Sequence, residues 1–177
     1  ALFRILSNLP KDLPVPILIV QHIALGFVAG FAEWLHTVTG FPVHLAKDGE
    51  CPLPGHVYVP PDDVHLGIRP GPVIMLSHQP PEENLRPSIS FLFRTLAQSM
   101  GSQVVGVLLT GMGRDGSKEL KSMKDAGAIT IAQDEASSVV FGMPGEAISL
   151  GAAKFVMPPE GIAIFLSNQF KKKERRK

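Results

Sequence analysis

Two kinds of hydrophobic pattern alternate along the chain, and each predicts a different element. Residues 15–21 (VPILIVQ) form an unbroken apolar run rich in β-branched side chains, which is typical of a strand buried on both faces of a parallel sheet. Residues 28–39 carry apolar side chains at helical spacing and are followed by Gly40, a common residue just past a helix end. This part of the chain therefore predicts a strand followed by a helix.

The middle of the chain predicts short strands and one further helix. Pro70-Gly71 lies between two strand-like runs and predicts the turn of a β-hairpin. Pro87 and Gly101 flank a helical pattern, as expected for a first helical turn and for the residue after a helix end. The predicted strands are 43–46, 56–60, 64–69 and 73–77, and the predicted helix is 87–99.

In the second half of the chain, strands alternate with helices. A glycine-rich turn at 111–116 follows the first of these strands, and Ser117 and Gly127 are the expected cap and stop of the next helix. The predicted strands are 103–110, 128–133 and 152–157, and the predicted helices are 117–126, 144–150 and 160–168. This alternation predicts a doubly wound α/β fold, a three-layer sandwich around a mostly parallel sheet with the β-hairpin as an insertion.

Length and composition fit one globular domain. The chain has 177 residues, of which 45% are hydrophobic and 19% charged, and this excludes a mainly disordered protein. No apolar run reaches the ~18 residues that cross a bilayer, and the N-terminus lacks the layout of a signal peptide, so we expect no membrane insertion. We expect the domain to cover residues 1–168 and residues 169–177 to form a basic tail or linker.

The formal net charge of +1 is misleading because of this tail. Residues 171–177 (KKKERRK) hold six basic residues and one acid, which leaves 11 basic and 15 acidic residues in the rest of the chain. A mildly acidic body offers no basic face, so we expect no nucleic-acid binding. Cys51 is the only cysteine, which excludes an intrachain disulfide and fits a reducing, cytoplasmic environment. We expect it to be an ordinary thiol.

One histidine is a strong candidate for chemistry. His22 directly follows the apolar run 15–21, so it is expected at the carboxyl edge of the sheet, where functional loops gather. A structural, hydrogen-bonded histidine is the alternative at that position. None of the six histidines has metal-ligand spacing, so we expect no metal site.

The glycine-rich turn supports two interpretations. Gly111, Gly113 and Gly116 match GxGxxG after a strand, and Asp134 ends the next strand, where a ribose-binding acid would stand. This pattern is that of a nicotinamide-dependent oxidoreductase, although the Asp115 carboxylate would repel a pyrophosphate. In the other interpretation the glycines free backbone N–H groups to form an oxyanion hole, and Asp115 faces the histidine at the neighbouring strand end.

The second interpretation supplies two members of a Ser-His-Asp triad. His22 would be the general base, and Asp115 would fix its tautomer and stabilise the imidazolium. The candidate serines are Ser7, Ser88, Ser137 and Ser138. None of them lies on a glycine-rich strand-to-helix turn, which is where a nucleophile is expected. The residues by themselves therefore predict a hydrolase with an incomplete site.

Five stretches of the sequence together carry a specific family resemblance. They are LPVPILIVQHIALGF (13–27), PGHVYVPPDDVHL (54–66), RPSISFLF (86–93), VLLTGMGRDG (107–116) and VVFGMP (139–144). In this order they resemble the catalytic domain of the bacterial chemotaxis protein-glutamate methylesterases, from about residue 2 to residue 168.

The resemblance implies a cytoplasmic serine hydrolase without a cofactor. Such an enzyme removes methyl groups from glutamate methyl esters on the cytoplasmic helices of chemoreceptors and releases methanol, and some members also deamidate receptor glutamines. The family's base then falls on His22, its triad acid on Asp115 and its oxyanion-hole N–H on Met112, in a protein expected to be a monomer. The residues that match segments lining the family's cleft are Gln21, Arg86, Phe141, Gly142 and Met143.

The sequence departs from the family in two respects. The family's nucleophile lies on a Gly-x-Ser-x-Gly-Gly turn before the helix in which this chain starts, so we expect a serine upstream of Ala1 and an inactive isolated chain. The receiver domain that many members carry in front is also absent, which leaves its presence in cis open. Two alternatives stay open as well: a non-catalytic relative that only binds receptors, and the oxidoreductase.

Overall fold

The computed structural model describes residues 1–174; residues 175–177, the end of the predicted basic tail, lie outside the described residues. The strands are β1 Ile17–Leu18, β2 Val43–Leu45, β3 Val57–Val59, β4 His65–Arg69, β5 Val73–Ser77, β6 Val105–Leu108, β7 Ile129–Gln133 and β8 Phe155–Met157. The α-helices are α1 Leu2–Ser7, α2 Val28–Thr39, α3 Ile89–Met100, α4 Ser117–Asp125, α5 Met143–Ser149 and α6 Pro159–Glu174.

The strands form two parallel groups of three and one hairpin. One group has the order β1-β3-β2 and the other the order β6-β7-β8, and every pairing within them is parallel. β4 and β5 pair antiparallel, with His65 opposite Ser77 and Arg69 opposite Val73, so the predicted hairpin is confirmed. Parallel strands joined through helices are the arrangement of the predicted α/β fold.

Successive side chains of the parallel strands face two separate cores. Leu18 and Tyr58 face one core together with the hairpin, α3, α4 and α5. Ile17, Val57 and Ile131 face the other core together with α1, α2 and α6. Because neighbouring residues in a strand point to opposite faces, the strands form the middle layer of a three-layer sandwich, as predicted.

Most predicted elements differ from the structure in their bounds, and three of these differences change the packing around the site or the end of the domain. The strand predicted at 15–21 is reduced to β1, whose side chains are only half-buried because one of its edges borders a cavity. Ser117 is the first residue of α4 rather than its cap, and its hydroxyl donates to the carbonyl oxygen of Met143 at 2.9 Å. α6 continues past the predicted domain end at 168, and Phe170 still packs against the core.

A cavity of about 400 Å³ lies between the two parallel groups. β1 and β6 both line it, and each is an edge strand of its group. The N–H groups of Ile17 and Ile19 donate to carbonyl oxygens of the β3 segment, so strand alternation turns the N–H groups of Leu18 and Val20 towards the cavity. Its walls are mostly apolar, with His22 among the few polar residues that line it.

No described helix combines the length and the apolar character that crossing a membrane requires.

Candidate active site

The loops after β1, β6 and β7 lie at the carboxyl ends of parallel strands, where doubly wound folds place their functional residues. The loop after β1 carries His22, and the loop after β6 carries Asp115. The loop after β7 is linked by hydrogen bonds to the loop after β6. The strand ends therefore bring together residues that lie far apart in the sequence.

His22 and Asp115 are in direct contact. The Nε2 atom of His22 lies 3.0 Å from Oδ2 of Asp115, and the two side chains are 28% and 6% exposed. The contact has the length of a hydrogen bond without its alignment, since the buried Nε2 atom has no aligned partner among the described residues. Catalytic contacts of this kind commonly tighten only when substrate binds.

The first turn of α3 holds the Asp115 carboxylate. Oδ1 accepts hydrogen bonds from the Ser88 hydroxyl and the Ser90 N–H, each at 2.9 Å, and Oδ2 accepts one from the Ile89 N–H at 2.7 Å. The first N–H groups of a helix have no partner within the helix and carry its positive dipole end. Asp115 satisfies these groups, and they in turn stabilise its negative charge.

These contacts decide the charge of the carboxylate. Burial raises the pKa of Asp115, but the His22 contact, the Ile89 and Ser90 N–H groups and the Ser88 hydroxyl outweigh it and lower the pKa from 3.8 to about 2. The group is therefore ionised throughout the neutral range. An ionised, buried carboxylate is what orients and stabilises an imidazolium.

The position of Asp115 assigns the roles of the two ring nitrogens of His22. A carboxylate can only accept a hydrogen bond, so the Nε2 atom that faces it carries the proton in the neutral ring. Nδ1 is then the unprotonated nitrogen, free to accept a proton from a nucleophile. Because the ring is partly exposed, that nitrogen can exchange protons with a substrate or with water.

Two loops beside this pair are joined along their backbones. The Thr110 hydroxyl donates to the Val140 carbonyl at 2.9 Å and accepts the Val140 N–H at 2.9 Å. The N–H of Gly111 donates to the same carbonyl at 3.0 Å, and the N–H of Met143 donates to the Gly111 carbonyl at 2.9 Å. These bonds fix the start of the glycine-rich turn against the segment that contains Phe141.

The two loops approach each other too closely to leave room for a side chain at Gly142. A Cβ atom on Gly142 would lie 2.7 Å from the carbonyl oxygen of Gly111 and 3.0 Å from the backbone nitrogen of Gly113. A Cβ atom on Gly111 would lie 2.1 Å from the Cε atom of Met143. Between these glycines, Met112 has an 84% exposed side chain, and its N–H has no backbone acceptor among the described residues.

Gln133 also contributes to this site, although it is not among the site residues predicted from the sequence. Its side chain is fully buried at the end of β7. Oε1 accepts the Thr110 N–H at 2.9 Å, while Nε2 donates to the carbonyl and hydroxyl oxygens of Ser137 at 2.9 and 3.1 Å. A glutamine that closes an apolar strand at its carboxyl end was the available signal.

The Arg86 guanidinium forms its hydrogen bonds away from the His22–Asp115 pair. Its guanidinium forms a two-pronged salt bridge with the carboxylate of Asp63 and donates to the carbonyl oxygens of His78 and Gln79 at 3.3 and 3.1 Å. The structure therefore joins Arg86 to the segments on either side of the β4–β5 hairpin rather than to the His22–Asp115 pair. Gln21 is exposed and lines the cavity.

Asp134, the acid of the dinucleotide interpretation, is part of a local turn. One of its carboxylate oxygens accepts the N–H of Ser137 at 3.1 Å and also the hydroxyl of Ser137. The described residues contain no group of three or more histidine, cysteine, aspartate or glutamate side chains that could hold a metal ion.

Two curated relatives are similar to most of this chain. The curated relative from Geobacter metallireducens is 53% identical over 165 residues, and the one from Nitrosospira multiformis is 55% identical over 168 residues. Both carry the name protein-glutamate methylesterase/protein-glutamine glutaminase. The matches cover 93% and 95% of this chain but 48% and 47% of the relatives, so the chain spans about half the length of the curated relatives it matches.

A solved structure and a family model complete the comparison. The crystal structure of the Thermotoga maritima CheB methylesterase catalytic domain superposes with a TM-score of 0.91 at 38% identity, covering 95% of this chain and 90% of that one. Residues 1–166 match the model of the CheB methylesterase family. The chain belongs to the CheB methylesterase family.

Proposed function

We propose that this chain forms most of the catalytic domain of a serine methylesterase that hydrolyses glutamate methyl esters on chemoreceptors. The observation that carries the proposal is the contact between His22 and the ionised, buried Asp115 at the end of an open cavity. Membership in the CheB methylesterase family supports the reaction class. The names of the relatives support methyl-ester hydrolysis and glutamine deamidation as the two reactions.

In the proposed mechanism, His22 moves one proton in each half-reaction. Nδ1 takes the proton of a serine hydroxyl as the serine oxygen attacks the ester carbonyl, and it then gives this proton to the departing methoxide, which leaves as methanol. Water attacks the acyl-serine in the second half. Nδ1 takes a proton from that water and returns it to the serine oxygen, which releases the free glutamate. Asp115 stabilises the imidazolium in both halves.

We propose that the serine lies outside these 177 residues, on a segment that enters the cavity as a strand parallel to β1 and β6. Both walls of the cavity are strand edges, and its lining is mostly apolar, which suits a buried strand. His22 and Thr110 line it, so a residue at the carboxyl end of such a strand would reach Nδ1. The two serines that contact the acid have engaged hydroxyl groups: that of Ser88 donates to Asp115, and that of Ser90 donates to Glu119.

The backbone N–H of Met112 is the proposed oxyanion-hole donor. It lies in the turn whose flanking residues are held by Thr110, Val140 and Gly142, and a donor held rigidly costs little reorganisation during the reaction. Loss of one such donor typically lowers kcat by about 10²–10³.

The surface around the site supports a helical protein as substrate. Leu25 and Phe27 follow His22 and are 67% and 66% exposed, and Met112 and Val139 are 84% and 90% exposed. Several exposed apolar side chains on neighbouring loops suit one face of an amphipathic helix. We propose that the partner is a methylated cytoplasmic helix of a chemoreceptor. We also propose a cytoplasmic monomer whose catalytic domain comprises residues 1–168 and extends to Phe170, which packs against the core. A receiver domain in cis belongs to the same proposal.

The test uses a chimera, called here the extended protein, in which the residues preceding the matched region of the Nitrosospira multiformis relative are joined ahead of Ala1. Methanol release is measured on a radiolabelled, methylated receptor fragment, and ammonia release on the same fragment with glutamine at the modified site. The proposal predicts turnover by the extended protein and none by the isolated chain. Receptor binding without turnover would support the non-catalytic alternative. Tight NADH binding with no methanol release would support the oxidoreductase.

A further inference from the structure

His65 is a fully buried histidine that the proposed mechanism does not use. It is the first residue of β4 and has no exposed surface. Its Nδ1 atom lies 3.2 Å from the backbone nitrogen of Ser88, and its Nε2 atom lies 3.2 Å from the carbonyl oxygen of Pro80. The ring stacks on Phe91 with centroids 4.7 Å apart and an interplanar angle of 17°.

The two partners determine the protonation of this ring. The Ser88 N–H can only donate, so Nδ1 of His65 is unprotonated, and the Pro80 carbonyl can only accept, so Nε2 carries the proton. The ring is therefore neutral, with both nitrogens satisfied. Because it is buried against Phe91, water cannot replace either partner, and a side chain without the matching acceptor leaves the Ser88 N–H unpaired.

The hydrogen bond from Ser88 links His65 to the candidate site. Ser88 is the N-cap of α3, and its hydroxyl donates to Asp115. The next two N–H groups, of Ile89 and Ser90, donate to the same carboxylate. His65 thus holds the backbone of one residue within the short segment that supplies every α3 donor to Asp115.

We propose that His65 is a positioning residue: its neutral Nε2–H tautomer anchors Ser88 and thereby aims the Asp115 carboxylate at His22. The effect of His65 on catalysis rests on the proposed function. The hydrogen bonds that join His65, Ser88 and Asp115 are a property of this chain and do not depend on that function. If His65 only stabilised the core, replacing it would lower stability and leave the His22–Asp115 contact of the folded molecules unchanged.

Asparagine and glutamine separate these two roles. An asparagine side chain places its oxygen where Nδ1 of histidine lies, so His65→Asn keeps an acceptor for the Ser88 N–H and loses the donor to Pro80. His65→Gln places its amide where Nε2 lies, so it keeps the donor to Pro80 and loses the acceptor for Ser88. The matched control is Thr95→Val, because Thr95 is a buried, hydrogen-bonded residue of the same helix that accepts from Ile68 and does not touch Asp115.

The experiment is ¹⁵N NMR of the histidine side chains in the isolated chain at a pH where His22 is neutral. The ¹⁵N shifts report the ratio of Nε2–H to Nδ1–H tautomer for His22 and for His65. In the wild type we expect the Nε2–H form at both rings. We expect His65→Gln to lower this ratio at His22 by about tenfold, the effect of losing one contact of hydrogen-bond length to a charged group. His65→Asn and Thr95→Val should leave it within twofold.

A His22 ratio that stays at the wild-type value in folded His65→Gln would overturn the proposal, as would equal ratios in the Asn and Gln variants. If His65→Gln does not fold, the wild-type spectrum still tests the proposal: an Nδ1–H tautomer at His65 would exclude the anchor. The readout needs no turnover, so a failure here is distinct from a failure of the extended protein to release methanol.

Discussion

Oδ2 of Asp115 is shared between the fold and the candidate chemistry. It accepts the backbone N–H of Ile89 at 2.7 Å and lies 3.0 Å from Nε2 of His22. The same carboxylate therefore closes the first turn of α3 and orients the proposed base. Changes at this carboxylate should act on both stability and activity.

The first prediction concerns acid stability. The pKa of Asp115 is lowered from 3.8 to about 2 in the folded chain, so its ionised form stabilises the fold above the unfolded value and this contribution is lost as the pH falls through 3.8 towards 2. It amounts to about 2 kcal/mol. The free energy of unfolding, measured by urea titration at pH 6 and again at pH 2.5, should show this loss in the wild type.

The matched variant is Asp115→Asn, which cannot ionise. Its free energy of unfolding should be lower than that of the wild type at pH 6, and the difference should shrink towards pH 2.5. Parallel pH curves for the two proteins would show that this carboxylate is not the group whose pKa is depressed.

The second prediction concerns the base. In the extended protein, His22→Ala should lower methanol release to a residual rate roughly 10³-fold above that in water, because binding and the oxyanion hole remain. His78→Ala is the control, since His78 is exposed and its side chain makes no hydrogen bond to the described residues. Initial rates at saturating substrate measure the effect. Equal rates in the two variants would rule out His22 as the base.

The third prediction compares two glycines with opposite expected signs. Gly142→Ala should destabilise the chain by about 1–3 kcal/mol, because its Cβ atom would meet backbone atoms of the glycine-rich turn. Gly30→Ala, within α2, should stabilise it by about 0.5–1 kcal/mol, because nothing lies within 4 Å of a Cβ there. Thermal unfolding followed by circular dichroism measures both. A neutral Gly142→Ala would show that the two loops are not held in contact.

The fourth prediction concerns Gln133. Gln133→Met keeps the volume of the side chain but leaves the Thr110 N–H and the Ser137 carbonyl unpaired, which should cost about 1–3 kcal/mol. In the extended protein kcat should fall while KM stays within about twofold, since an oxyanion donor acts on the transition state. Gln98→Met, at an exposed position of α3, is the control. A change in KM alone would place Gln133 outside the oxyanion loop.

The elements that local sequence patterns specify were predicted closely. α2 has its predicted bounds, 28–39, and ends at Gly40 in the left-handed conformation, because one apolar face and one glycine are local signals. The prediction of a strand at 15–21 was wrong in length, because β1 covers only Ile17–Leu18. Its apolar run is continuous, but a strand extends only as far as its neighbours pair with it, and within this run β3 pairs only with Ile17 and Leu18.

The candidate site was predicted only in part, because some of its contacts depend on packing between distant segments. His22 and Asp115 both follow strands at one sheet edge, so topology predicts that they approach each other, and they lie 3.0 Å apart. The sequence presents Ser88 only as a candidate nucleophile. Its role as a donor to Asp115 depends on how the N-terminus of α3 packs against the turn after β6, which no local pattern reveals. The same holds for Arg86, whose salt bridge with Asp63 joins segments 23 residues apart.

The central claim is that His22 and Asp115 act as one unit, and a double-mutant cycle in the extended protein tests it most directly. kcat/KM for methanol release is measured for the wild type, His22→Ala, Asp115→Asn and the double variant. Asp115→Asn should lose about 10⁴-fold, and the double variant should be no slower than His22→Ala, because the acid has no role without the base. Losses that multiply in the double variant would contradict the claim and show that the two residues act independently.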